Sequence, residues 1–279
     1  MPSPSRHPSE LPLPALPLRR GRQGFFLACL IVLGGTYVLL ILAMLVADMA
    51  FTTPGEILRA LDDRDTLYAI KLSLISCTIT SVLALWVAVP IGYLMARYQF
   101  RGKAFLDTIL DIPIVLPPLV VGVSLLILFR FRPFVWVDRY VTYEIPGLIL
   151  AQFMVAAAFA VRTMRVTFEQ INPRTEQVAL TLGCTRQQAF WMVLIPQCRQ
   201  GMMTAITLAW ARSLGEFGPV LVFAGANPMR TEVLPTTVFL RMQAGDLTGM
   251  LAVSLIMIIT SMVVLVLARI FGLRTNGVI

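Results

Sequence analysis

Two opposite charges, Arg212 and Glu216, lie four residues apart inside an otherwise apolar run at residues 201–225. On one helix that spacing puts both on the same face, where they can pair. A charge pair inside an apolar bundle either locks helices together or marks a path for a charged solute. Both readings stand at this point. Pro113, Pro117 and Pro118 fall in a second apolar run. There they would kink or break a helix, freeing backbone groups beside a cavity or simply bending the span. Bond-making chemistry finds no support. The only histidine is His7, and no Ser/His/Asp or metal-ligand spacing appears. Cys29, Cys77, Cys184 and Cys198 form no CxxC pair, which argues against a disulfide framework or a zinc site. The two lysines, Lys71 and Lys103, stand outside any GxxxxGK[ST] pattern, so the chain has no such loop to cradle a nucleotide. A polytopic enzyme is therefore disfavoured.

The elements that carry these residues are membrane helices. Hydrophobic residues make up 57% of the chain and charged residues 14%, with mean hydropathy +0.80. Soluble domains carry about 25% charge, so the expected class is an all-α integral membrane protein. Residues 23–47, 72–96, 112–129, 145–161 and 247–268 hold no charged side chain. With residues 201–225 they give six expected spans, the short runs at 112–129 and 145–161 needing tilt. Residues 25–272 form the expected six-helix domain, flanked by a disordered Pro-rich tail at 1–24 and a short tail at 273–279. Pro90-Ile-Gly92 reads as a bend in the second span. With both termini cytoplasmic, 14 basic residues fall inside and 8 outside, and the first outer loop is acidic. The cytoplasmic excess suits anionic lipid headgroups better than nucleic acid.

Between the fourth and fifth runs, residues 163–200 are too polar to cross a bilayer and too patterned for a slack loop. Asn172-Pro173 is a helix start, with Asn as N-cap and Pro at the first helical position. The first short helix should reach Thr181 or Leu182 and stop at Gly183. Thr185 to Gln188 has the capping-box pattern and should open a second helix. That helix carries Ala189, Phe190, Trp191, Met192 and Val193 as an apolar ridge, and Pro196 marks its end or a bend into the next span. A ridge of this kind wants a partner groove, or else lies on lipid.

This stretch, "PRTEQVALTLGCTRQQAFWMVLIPQCRQG", resembles the cytoplasmic coupling loop of ABC-importer permeases. That family's pattern is Glu-Ala-Ala, three residues, Gly, nine residues, then Ile-x-Leu-Pro. Counted from Gly183, it places Gln177, Val178 and Ala179 at the Glu-Ala-Ala positions and Val193, Ile195 and Pro196 at the Ile, Leu and Pro positions. Ala179, Gly183 and Pro196 match strictly, and Glu176 lies one residue before the glutamate position. Either Glu176 or Gln177 could then make the polar contact with the ATPase. "LDTILDIPIVLPPLVVGVSLL", "ARSLGEFGPVLVFAG" and "LPTTVFLRMQAGDLTGMLAVSLIMI" are similar to the branch that moves molybdate, tungstate or sulfate.

The resemblance implies a permease of the bacterial inner membrane. Glu176, Gln177, Ala179, Gly183, Phe190, Trp191 and Pro196 would form the ATPase-coupling surface. Arg212, Glu216, Pro117 and Pro118 would lie at the pathway or lock helices beside it. ATP would be used by separate ATPase subunits, with no cofactor on this chain. An extracytoplasmic binding protein would deliver the oxyanion, and a second permease chain, as a homodimer or with a homologue, would share the path. An ion-gradient-driven transporter is the rival class. It would explain the charge pair but not the structured loop, and the chain shows no internal inverted repeat.

Overall fold

Hydrocarbon offers a backbone N–H or C=O no partner except another backbone group, so long apolar runs fold as helices. The computed structural model describes residues 22–274, and every regular element among them is helical. The part of the expected Pro-rich tail at residues 1–21, with His7, and the part of the expected short tail at residues 275–279 lie outside the described residues. The described residues divide into two units at Phe51 and Thr52.

The first unit is one helix, α1, Arg22–Phe51, which begins inside the expected tail. The second unit opens with α2, Pro54–Asp62, whose Thr53 N–H donates to Glu56 Oε2 at 2.9 Å as a cap. Helix α3, Arg64–Arg97, runs unbroken through Pro90, so the bend expected there does not interrupt the helix. Next come α4, Lys103–Val115, α5, Pro118–Leu128, the four-residue α6, Asp138–Val141, and the long α7, Ile145–Gln170. The loop helices α8, Pro173–Thr181, and α9, Arg186–Ala189, lead through a π-helical turn, Phe190–Leu194, and α10, Ile195–Gln197, into α11, Arg199–Leu214. A second π turn, Val220–Ala224, precedes α12, Leu234–Gln243, and α13, Leu247–Arg274. Helix α13 runs past the expected boundary at residue 272.

Four helices among the described residues are long and apolar enough to cross a membrane. The pair α4 and α5 is bent by 113° and would be a fifth crossing if counted as one span. Pro113 is accommodated inside α4, and the break comes at Leu116 and Pro117, both extended, before Pro118 restarts the helix. Helix α11 has 16 residues, which at about 1.5 Å each falls short of a bilayer core of about 30 Å. The expected six crossings thus require both broken segments, 103–128 and 199–224, to count as one each.

The two breaks pack on each other. A Cβ on Gly218 would come within 2.9 Å of the Leu119 backbone nitrogen, so only glycine lets the chain after α11 approach the start of α5. Helices α3 and α7 form the centre of the unit. Small residues recur on their buried faces, Ser73, Ser76, Cys77, Thr80, Ala84 and Ala88 on α3 and Ala151, Ala156 and Ala160 on α7, beside larger ones such as Met95, Met164 and Phe168. Small side chains bring membrane helices close enough for dispersion to hold them where no hydrophobic drive exists. Buried Thr80 donates to Gln152 Oε1 at 3.2 Å across the seam, and Ser73 Oγ accepts from the Leu234 N–H of α12 at 2.9 Å.

At one end of the bundle Arg241 of α12 ties three segments together. Its Nη2 donates to Asp63 at 2.6 Å and to Thr66 at 2.9 Å, and its Nη1 reaches Asp246 at 3.3 Å. Asp246 caps α13 through the Gly249 N–H, and that hydrogen bond, ahead of Arg241, holds its carboxyl below the usual carboxylate range.

The seam gives a stability prediction. A Cβ on Gly92 would meet the Arg165 backbone nitrogen and Met164 Cβ at 2.9 Å. Gly92→Ala should therefore cost about 1–3 kcal/mol from overpacking, despite the better helix propensity of alanine. Gly34→Ala on α1, where nothing lies within 4 Å, should not lower stability. Thermal unfolding in detergent, followed by size-exclusion chromatography, compares the two. Equal midpoints would show that the seam is looser than drawn.

Candidate functional site

The segment expected as a loop at 163–200 divides differently. Residues 163–170 are the last turns of α7, because Met164 and Phe168 are fully buried in the bundle core. From Ile171 onward the expectations hold closely. Asn172 caps α8 by accepting from the Arg174 N–H at 3.0 Å, with Pro173 at the first position. The helix ends in a Schellman turn: Cys184 N–H reaches Ala179 O and Gly183 N–H reaches Leu180 O, both at 3.1 Å. Gly183 has φ +91°, a conformation that strains any side chain. Thr185 and Gln188 then form the expected box, at 2.9 Å and 3.3 Å.

Pro196 does not end the second helix. The Ile195 N–H bonds back five residues to Phe190 O. This π turn widens the helix just before Pro196, which has no N–H to donate, and the chain continues as α10 and then α11.

The apolar ridge is also split. Ala189 is buried and Phe190 packs into the core, its ring 4.9 Å from Tyr93. Trp191 and Met192 point out, 60% and 70% exposed, with Val178 and Leu182 also exposed. The reason is helical period: positions 189 and 190 face the bundle, and 191 and 192 lie on the far side. Ala179, at the strictly matched position, is buried.

Glu176 and Gln177 part company as well. Glu176 turns inward, where Tyr93 Oη donates to its Oε1 at 2.7 Å and Arg97 Nε lies 3.8 Å from its Oε2. Gln177 is exposed. Of the two candidates for an outside polar contact, Gln177 is thus the available one.

Arg212 and Glu216 pair as their spacing suggests, Nη2 to Oε1 at 2.7 Å. They do not share one continuous helix. Helix α11 stops at Leu214 because Gly215 begins the Gly-Glu-Phe-Gly-Pro break, so Glu216 follows the helix end. Arg212 sits in the last turn, where a cation is favoured by the helix dipole. Its guanidinium lies 5.7 Å from the centre of the Phe159 ring on α7. Glu216 is 1% exposed, and its Oε1, although close to Arg212, has no aligned hydrogen-bond donor. Arg212 keeps 30% of its side chain exposed. A groove of about 590 Å³ between α7 and α11, lined by Thr163, Thr167, Gln200 and Thr204 among others, gives α11 a polar flank. Arg212 is outside that lining.

Residues 88–277 match the family described as binding-protein-dependent transport system inner membrane component. The chain belongs to this family. The sulfate transport system permease protein CysT of Escherichia coli (strain K12) is 31% identical over 274 residues, covering 95% of this chain and 96% of that protein. The molybdenum transport system permease protein ModB of the same organism is 32% identical over 200 residues, 68% of this chain and 87% of that protein. A solved structure of a bacterial alginate ABC transporter in complex with alginate pentasaccharide-bound periplasmic protein matches with TM-score 0.74 at 14% identity. It covers 92% of this chain and 96% of that chain, and shows the shared fold. The chain is therefore a multi-pass ABC-transporter permease, a transport subunit and not an enzyme.

Against that background, two permease features went unread in the sequence. Tyr93 and Arg97 receive the coupling-loop candidate Glu176. Their four-residue spacing at the end of an apolar run was the available signal. The second is an ion-pair cluster joining α4 to α7: Asp107 with Arg165, Arg165 with Glu169 at 2.9 Å, and Asp111 with Arg162 at 3.5 Å. Neither set shows as a motif, because, apart from Arg165 and Glu169, the partners are 51 to 83 residues apart and meet only once α3, α4, α7 and α8 pack.

The Arg212–Glu216 geometry predicts an asymmetric mutational cycle. Arg212→Ala leaves a buried carboxylate without its cation and should destabilise the permease by about 3 kcal/mol, the low end for such a loss because Arg212 is partly exposed. Arg212→Ala combined with Glu216→Ala should recover most of that. Thermal unfolding of the single and double variants measures the coupling. Additive effects would mean that the pair is not an energetic unit.

Proposed function

We propose that this permease forms the translocation path for a tetrahedral oxyanion, sulfate foremost, with molybdate and tungstate as related cargo. The observation that carries this reading is the end-to-end likeness to a sulfate permease, at 31% identity over 95% of the chain. An arginine at a helix break inside an apolar bundle, balanced by a buried glutamate, suits a transient anion: the anion competes with Glu216 for Arg212 and leaves when the pair re-forms. The coarse mechanism follows from what the chain lacks and exposes. Without a nucleotide-cradling GxxxxGK[ST] loop, it draws its energy from separate ATPase subunits, which dock on Gln177, Val178, Leu182, Trp191 and Met192. Both termini face the cytoplasm, an external binding protein delivers the anion on the opposite face, and two permease chains, most simply two copies, enclose the path. Nucleotide binding biases two arrangements of the helices, opening the path first to one side and then to the other.

Uptake of labelled sulfate and labelled molybdate into proteoliposomes, with the ATPase and binding protein present, tests the reading. Transport should need ATP and both partners, with sulfate preferred. Uptake driven by an ion gradient without the ATPase would instead favour a secondary transporter.

Two substitutions sharpen the test. Gly183→Val meets no neighbour within 4 Å, so its effect must come from backbone strain at φ +91°. It should reduce co-purification of the ATPase several-fold, and undiminished binding with normal ATP hydrolysis would remove Gly183 from coupling. Arg212→Ala should slow anion uptake at least tenfold at unchanged expression. If the double variant Arg212→Ala with Glu216→Ala transports normally, the pair is structural and the anion passes other groups.

A further inference from the structure

The last two turns of α3 and Tyr98 just after them gather contacts from α8, α9, the π turn and the corner after α7. Tyr93 Oη donates to Glu176 of α8 at 2.7 Å. The Tyr93 ring stands edge-on to Phe168 near the end of α7, at 5.6 Å, and to Phe190 of the π turn, at 4.9 Å. Arg97, one turn further on, donates from Nη2 to the Ile171 carbonyl at 3.0 Å, at the corner between α7 and α8. Tyr98 accepts from Arg186 of α9 at 3.5 Å. Both members of the ion pair are largely buried, with Arg97 9% and Glu176 14% exposed.

We propose that Tyr93 and Arg97 are positioning residues that clamp the coupling segment to α3 through Glu176, so that a push on α8 displaces α3 instead of bending the loop. The inference rests on the importer reading above and adds the route by which force enters the bundle. A hydroxyl bonded to a carboxylate is a charge-assisted contact, shorter and stronger than a neutral one. Packed between Phe168 and Phe190, it leaves α8 little freedom to move without α3. The clamp also holds one unfinished bond. Arg97 Nε is buried with no hydrogen-bond partner, 3.8 Å from Glu176 Oε2. Hydrogen bonds of this type close at about 2.7–3.2 Å, and Tyr93 already holds Glu176 at 2.7 Å, so a roughly 1 Å adjustment of the Arg97 side chain would complete it.

The test compares anions transported per ATP hydrolysed in the reconstituted complex of permease, ATPase and binding protein. Tyr93→Phe keeps the ring packing and removes one hydroxyl. It should bind the ATPase as the parent does yet transport at least fivefold fewer anions per ATP. Arg97→Gln should uncouple similarly, and Arg97→Lys, which keeps the charge, should restore part of the ratio. Tyr93→Phe combined with Glu176→Gln should be no worse than the more damaging single change, because both break one contact. A parental ratio in Tyr93→Phe and Arg97→Gln overturns the clamp. So does loss of ATPase binding in Tyr93→Phe in step with transport, since the hub would then serve docking. Parental uptake that proceeds without the ATPase overturns the importer reading and the clamp with it. Spin labels at Gln177 and Arg101 give a readout independent of transport: the Tyr93→Phe distance distribution should broaden, and an unchanged one counts against the clamp.

Discussion

Close packing of α3 against α7 is the constraint on which the rest of this permease hangs. Lipid supplies no hydrophobic drive between two apolar helices, so the pair must gain by contact and by internal hydrogen bonds. That requirement explains why a helix as apolar as α3 buries Ser73, Ser76, Thr80, Ala84 and Ala88 and exposes Ile75, Ile79 and Trp86. Small side chains make much of the seam, and Met95, Met164 and Phe168 complete it. Everything with a functional reading is attached to this pair. The coupling segment is held at the end of α3, Arg212 rests over Phe159 of α7, and the ion-pair cluster joins α4 to α7.

What could be read from the residues was what depends on short spacing. The cap at Asn172, the turn at Gly183 and the box from Thr185 to Gln188 are local hydrogen-bond patterns, and they appear where the residue types put them. The break at Pro117 and Pro118 was legible for the same reason, since a missing N–H and a fixed φ act on the nearest residues. Pro90, Pro113 and Pro196 show the limit of that logic. Each sits within helical structure, Pro196 just after a π turn that widens the helix, and no local rule says which proline will be accommodated.

The inward turn of Glu176 was illegible for a different reason. Helical spacing gives relative faces, and only the position of α3 decides which face is inside. Gln177 stands at the position where the family pattern has glutamate, yet the carboxylate beside it is used internally. The same ambiguity split the ridge at Phe190 and Trp191: hydrophobicity marked both as needing cover, and the packing of Tyr93 and Phe168 assigned one to the core and one to the surface.

Placing Arg212 at the end of α11, and not in mid-helix, changes the physics of the pair. Cations are favoured in a last turn, where carbonyls lack intrahelical donors, so Arg212 is stabilised even without Glu216. Glu216 has no such support; it is buried just beyond those carbonyls and depends on Arg212. The dependence therefore runs one way, and a group that draws Arg212 off leaves a buried carboxylate behind. In the proposed path, that cost would disfavour permanent occupation by an anion. Phe159, beneath Arg212, and Phe168, beside Tyr93, are nine residues apart on α7, about 14 Å along one unbroken helix. One unbroken helix, α7, thus carries both the aromatic contact of Arg212 and that of Tyr93.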